Sequence, residues 1–167
     1  MSSKEGKLYE SNVVQPKLEN LCKDSKFKFT RLYDTFSAGG RAHIPPQSCD
    51  FIVTNRNSIS CFIEFKWTSS ETKFDLNSLT KEQYRSYIES VEFGYTYVIV
   101  LYSKVHDCYY AVPSYWLRNL ELTTKRASFN FLEKFGDWGY KTIDEFFPLL
   151  FTETFQGITQ LWDSNTL

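Results

Sequence analysis

Paired-cysteine motifs are missing from this chain of 167 residues. Its four cysteines (Cys22, Cys49, Cys61 and Cys108) are scattered, and no two stand as C-x-x-C. Neither a zinc knuckle nor a redox dithiol is suggested. Also missing is any apolar run approaching the ~18 residues needed to span a bilayer, so no membrane partner is expected. Internal repeats and low-complexity tracts are absent from the sequence as well. No sign of charge dominates: 19 Lys and Arg stand against 20 Asp and Glu, and the whole-chain balance argues for no particular polyanion. Histidine is scarce. His43 and His106 read first as exposed loop residues, with a proton shuttle as the rival role for His43. The polar start MSSKEGKLYES predicts no signal peptide, and reduced thiols in a cytoplasm are the expected setting.

What is present is apolar mass. Hydrophobic residues make up 42% and aromatics 18%, with 15 Phe and 11 Tyr, enough for a sizeable core in one domain over 1–167. Charge is unevenly spread. Residues 1–41 carry 8 Lys and Arg against 5 Asp and Glu, and the remainder 11 against 15. A mildly basic N-terminal quarter follows, which a solvated surface also explains.

Local patterning predicts α/β organisation. VVQPKLENLCKDSKF opens as a helix near Pro16, where proline is tolerated in a first turn, and Leu18, Leu21 and Cys22 share a face. FKFTRLYDTF reads as a strand, and Ser37–Ser48 as a loop. DFIVT, the turn NRNS and ISCFIEFKW read as a strand hairpin. In SLTKEQYRSYIESVEFG, Thr80 and Gln83 form a T-x-x-Q capping box with Leu79 and Tyr84 as its staple. Tyr84, Ile88 and Val91 are the expected buried stripe, and Gly94 the stop. YTYVIVLY is a strongly apolar, central strand, and CYYAV its neighbour through a turn at Lys104–Asp107. A second capping box, Thr142 with Glu145, starts a short helix that Pro148 stops. The expected fold is a central mixed β-sheet flanked by helices.

The hairpin raises the functional question. Residues i and i+2 of a strand point to one face, so Glu64 and Lys66 share a face with Phe62. Asp50 opens the partner strand. If the strands pair, Asp50 and Glu64 converge. Two hard carboxylates with room for water suit Mg²⁺ or Mn²⁺, and the carbonyl of Phe65 can add a further oxygen. Lys66 then stands where it can orient an attacking water or stabilise charge developing on a phosphate. This is a minimal apparatus for phosphodiester hydrolysis. E-x-K alone is also a common exposed pair; the aspartate on the adjacent strand makes the pattern more specific.

The arrangement D50-x13-E64-x-K66 resembles the signature of the PD-(D/E)xK nuclease superfamily, with Cys49 in place of the motif's proline. It is most similar to Holliday junction resolvases of the archaeal type and of the RecU type of Gram-positive bacteria and their phages. A glutamate on an N-terminal helix (Glu19), the polar loop FSAGGRAHIPPQSCD, and the stretch TKFDLNSLTKEQYRSYIESVEFGYTYVIVLY carry that similarity, over roughly residues 8–118. A C-terminal helical segment over about 119–167 lies beyond it. The resemblance implies a restriction-endonuclease-like core. It implies Asp50, Glu64 and Glu19 as acidic metal-site residues, Lys66 as the catalytic lysine and Gln83 as a glutamine near the site. Ser37, Gly39, Gly40 and Arg41 would meet the phosphate backbone, where glycines let N–H groups approach. Glu19 is equally one of several charges on an amphipathic helix, and the capping box alone accounts for Gln83.

The expected activity is a Mg²⁺- or Mn²⁺-dependent endonuclease that cuts four-way DNA junctions. Two symmetric nicks imply a homodimer, with FNFLEKFGDWGYKTIDEFFPLLF, including Phe146 and Phe147, as the expected interface. Two readings stay open: another enzyme of the superfamily acting on duplex or flaps, and a non-catalytic DNA-binding module.

Overall fold

A computed structural model of the chain describes residues 7–23, 27–32, 47–55, 60–124, 128–131, 142, 144 and 145. The chain enters through a π-helical turn, Glu10–Val14, continuous with helix α1, Gln15–Lys23. Strands β1 (Phe27–Arg31), β2 (Phe51–Asn55) and β3 (Ser60–Thr68) follow, then the short β4 (Lys73–Asp75). Helix α2 (Lys81–Phe93) leads to β5 (Thr96–Ser103), β6 (Cys108–Pro113), helix α3 (Ser114–Thr124) and the short β7 (Ser128–Asn130).

Five strands form one sheet in the order β1-β2-β3-β5-β6. β1, β2 and β3 pair antiparallel; β2 and β3 are separated by four residues, while a longer stretch, 32–50, joins β1 to β2. β3 and β5 run parallel, as the intervening α2 demands, because a parallel return needs a crossover. β6 then folds back antiparallel on β5. The result is the mixed α/β sheet flanked by helices that the sequence predicts. β5 is an inner strand, one place from the middle, and β3 holds the centre.

Each sheet face has its own core. Val14 and Leu18 of the N-terminal helix pack on Phe51, Val53, Ile63, Phe65, Val98 and Val100. On the other face Tyr87 of α2 and Leu117 of α3 pack on Tyr97, Ile99, Leu101 and Val112. β4 and β7 pair through Phe74 and Phe129 and close the rim of this second core.

Two local expectations change. The buried residues of α2 are Gln83, Tyr87 and Ser90, so the helix is turned about one residue from the stripe Tyr84, Ile88 and Val91, which is only partly buried. The strand expected over Phe27–Phe36 ends at Arg31; Leu32 lies just beyond it, and residues 33–36 fall outside the described residues. The Thr80–Gln83 capping box forms with both reciprocal bonds, and Gly94 ends α2 in the left-handed conformation, φ 73°. Thr142 and Glu145 also exchange the two bonds of a capping box.

Candidate active site

The β2–β3 register pairs Phe51 with Ile63; Asp50 lies one residue before that pair and Glu64 one residue past it on the facing strand. The Asp50 N–H donates to the Ile63 carbonyl at 3.1 Å, and its carboxylate accepts the Phe65 N–H at 2.7 Å. Alternation then sends Glu64 and Lys66 to the α2 side, where Phe62 also lies. Glu64 is 0% exposed. Its Oε1 accepts from Lys66 Nζ at 2.6 Å and from Gln83 Nε2 at 2.5 Å.

Gln83 does two jobs at once. Its Oε1 accepts from the Thr80 N–H at 2.9 Å, which is the capping box, and from Lys66 Nζ at 3.1 Å. The first turn of α2 is therefore tied to both charged residues of β3. This explains the rotation of the helix: a glutamine takes an inward position because every polar atom it brings finds a partner.

The structure does not bring Glu19 to this corner. Its side chain is exposed and accepts from Gln15 of the same helix at 2.9 Å. Glu10 comes close instead. Its carboxyl feels the charges of Asp50 and Lys66, and it stands 3.6 Å from Arg31. Arg31 also donates to Ser11 at 3.1 Å and Gln15 at 2.6 Å, and lies over the Phe51 ring. Glu10 opens the π-helical turn, in which the Gln15 N–H bonds to the Glu10 carbonyl; such turns re-aim side chains. A signal for Glu10 exists in the sequence. It precedes the buried Val14 and Leu18 at successive i+4 steps, so one helix face carries all three.

Ser37, Gly39, Gly40, Arg41 and His43 lie outside the described residues, as do Phe146 and Phe147. His106 sits in the β5–β6 turn with a ring nitrogen 2.8 Å from the Glu71 carbonyl, away from the carboxylates.

Electrostatics mark the corner as short of positive charge. Burial, then the Asp50 charge, push the Glu64 carboxyl well above its usual range. Burial likewise raises Asp50 against the opposing pull of Lys66 and the Phe65 N–H. Burial with Asp50 beside it lifts Glu10 to about 8. Burial opposes the Lys66 charge, but Glu64, Asp50 and Glu10 outweigh it and hold the ammonium above its ordinary value. Lys66 stays charged, then, while the carboxyls want either a proton or a further cation.

A hard divalent cation fits this donor set. Among the described residues, Glu64 Oε2 is a buried oxygen with no hydrogen-bond partner, and buried carboxylate oxygens are rarely left so. No group of three His, Cys, Asp or Glu side chains among the described residues is arranged to hold a metal. The side-chain donors are the pair Asp50 and Glu64, a number that suits Mg²⁺, which keeps several waters and takes one or two carboxylates.

Comparison with solved structures finds Archaeoglobus fulgidus Hjc, a Holliday junction resolvase from an archaeal hyperthermophile. The similarity covers 62% of this chain and 76% of that one, at 18% sequence identity and a TM-score of 0.41. No protein-family model matches the chain, and no curated protein does. No described helix is long and apolar enough to cross a membrane.

Proposed function

We propose that this chain is a divalent-metal-dependent DNA endonuclease whose substrate is a four-way junction. The observation that carries the reading is the Asp50 carboxylate, held by the Phe65 N–H beside a wholly buried Glu64 with one unpartnered oxygen, and Lys66 two residues along the same strand. Asp50, Glu64 and the Phe65 carbonyl would hold Mg²⁺ or Mn²⁺. The ion, when bound, would supply Lewis-acid activation of water and of the scissile phosphate.

The remaining work falls to the chain. Lys66 offers a permanently charged ammonium to the negative charge that grows on the phosphate oxygens and the attacking water. Gln83 holds that ammonium in place through its amide oxygen and holds Glu64 through its amide nitrogen. Glu10 would take the part the resemblance gave to Glu19: a third carboxyl close enough to Asp50 and Lys66 for their charges to act on it. Ser37, Gly39, Gly40 and Arg41 would meet the DNA backbone, which positions the protein without reading sequence. Symmetric nicking of a junction calls for a two-fold homodimer; Phe129 and Phe131 of the expected interface stretch are instead buried in the second core, so the interface would fall to its later apolar residues, Phe146 and Phe147 among them.

The test is cleavage of a labelled four-way junction, a flap and a linear duplex of the same arms, with Mg²⁺ or Mn²⁺, by wild type and Asp50→Ala. Paired symmetric nicks in the junction alone, absent from the variant, are the expected outcome. Cutting of all three substrates would keep the nuclease and remove the junction specificity. Junction binding without cutting would make the protein a binding module.

A further inference from the structure

Asp50 is preceded by Cys49 where the superfamily motif has proline. Proline fixes φ in the residue ahead of the acid; cysteine leaves that dihedral soft. Residues 47–50 also lie before the start of β2; the Leu32 N–H reaches the Asp50 carbonyl at 2.9 Å, and residues 47–49 stand ahead of that bond. Yet the Asp50 carboxylate must arrive beside Glu64 within a few tenths of an ångström for the two to act together.

Inside the hairpin, the Cys49 thiol donates to the Phe51 carbonyl at 3.4 Å, a long and weak contact, and the Asp50 N–H donates to Ile63. From outside it, besides the Leu32 N–H on the Asp50 carbonyl, comes a side-chain tether to the residues ahead of Asp50. The Tyr97 hydroxyl donates to the Ser48 carbonyl at 2.9 Å. Tyr97 stands on β5 opposite Phe62 of β3, and its ring is 1% exposed in the second core. The phenol lies close enough to Glu64, Cys49 and Asp50 for their charges to bear on it. A buried phenol needs some acceptor, and many would serve. The acceptor here is the carbonyl two residues ahead of Asp50, and the donor belongs to the strand that pairs with the Glu64 strand.

We propose that Tyr97 is a positioning residue for the reaction: its hydroxyl, bonded to the Ser48 carbonyl, steadies the backbone that leads into Asp50 and delivers it to Glu64. The inference rests on the nuclease reading above. It deepens that reading by tying the β5 strand to the placement of the aspartate.

Tyr97→Phe keeps the ring and its packing and removes the donor alone. Three measurements on the full chain read it: steady-state junction cleavage, Mn²⁺ affinity by calorimetry, and amide hydrogen exchange. The expected result is a fall in kcat of about tenfold or more with KM unchanged, and a Mn²⁺ affinity weaker by about tenfold, as for partners that orient a ligand. Exchange should speed at the Asp50 amide while the Val98–Leu101 amides keep their protection. Incorporating 4-aminophenylalanine at position 97 restores a donor and should restore kcat. Unchanged kcat in Tyr97→Phe would overturn the proposal, and so would exchange that speeds equally along β5, since that marks global loosening. Failure of the amino variant to recover kcat would also overturn it. If wild type shows no metal-dependent cutting, or Asp50→Asn cuts as well as wild type, the nuclease reading itself falls, a different result from an active wild type matched by Tyr97→Phe.

Discussion

Two glutamates, both drawn into the second core, end in opposite states. Glu121 of α3 accepts from the hydroxyls of Tyr84 and Tyr87 on α2 and from Arg118 at 2.8 Å. Burial opposes its charge, but these donors outweigh burial and hold its carboxyl below the usual range. Glu64 receives two donors on one oxygen, none on the other, and its carboxyl is pushed up. Glu64 is buried and Glu121 half-buried, and each stands near tyrosines and one cation. The difference is completeness. A carboxylate whose oxygens are all satisfied has nothing left to offer a ligand, and its value is in clamping α2 to α3. One with a spare oxygen beside a second acid is a site waiting for a proton or a cation.

The largest test of that contrast sets Asp50→Asn against Glu121→Ala. Asparagine keeps an acceptor for the Phe65 N–H and removes one charge from the crowded corner. Metal-dependent cleavage should fall about a thousandfold, while the urea midpoint of the metal-free protein stays level or rises at neutral pH. Glu121→Ala should do the reverse: cleavage within about threefold of wild type and stability lower by about 2 kcal/mol, since two phenols and a guanidinium lose a charged acceptor. Equal stability losses in the two variants would erase the distinction.

Next in size is Glu10. The folded chain holds its proton up to about 8, against 4.5 when unperturbed. Below that window the neutral acid contributes its stability in full. As pH rises through it, the folded state resists losing a proton that the unfolded chain releases freely, so stability declines. Chemical denaturation of the metal-free protein from pH 5 to pH 8 should show the decline, and Glu10→Gln should flatten it. Added Mn²⁺ should stabilise wild type more at the upper end, where the carboxyls are free to take the ion. Cleavage by Glu10→Gln should drop about tenfold. A steep decline that survives in Glu10→Gln would assign the titration to other groups.

These residues also show what sequence can and cannot reveal. Strand alternation and the hairpin turn were enough to pair β2 with β3 and bring Asp50 to Glu64, because a period of two fixes the face once register is fixed. The Thr80 cap and the apolar β5 were legible for the same reason: their signals lie within a few residues. Glu10 was missed in favour of Glu19 because the sequence opens a helix at Pro16, whereas the π-helical turn carries the helix back to Glu10. The inward turn of α2 was missed because hydrophobicity cannot identify a glutamine whose amide is satisfied by partners 17 and 19 residues back in the chain. β4 and β7 pair Phe74 with Phe129 across a long separation, and three-residue strands leave no period to read.

The smallest effect separates the two jobs of Gln83. Thr80→Ala removes the hydroxyl that accepts the Gln83 N–H at 3.2 Å and leaves the Gln83 amide free to keep Glu64 and Lys66. It should cost about 1 kcal/mol, the usual value of an N-cap, with cleavage little changed. Gln83→Ala loses half the cap as well, but it also strips Glu64 and Lys66 of the side chain between them. Its stability loss should be similar and its loss of kcat much greater. Thermal unfolding and single-turnover cleavage, run on both variants, read the two quantities apart. If Thr80→Ala lowered kcat as much as Gln83→Ala, the cap would be the means by which α2 serves the site, and the bonds from Gln83 to the charged pair would be incidental to it.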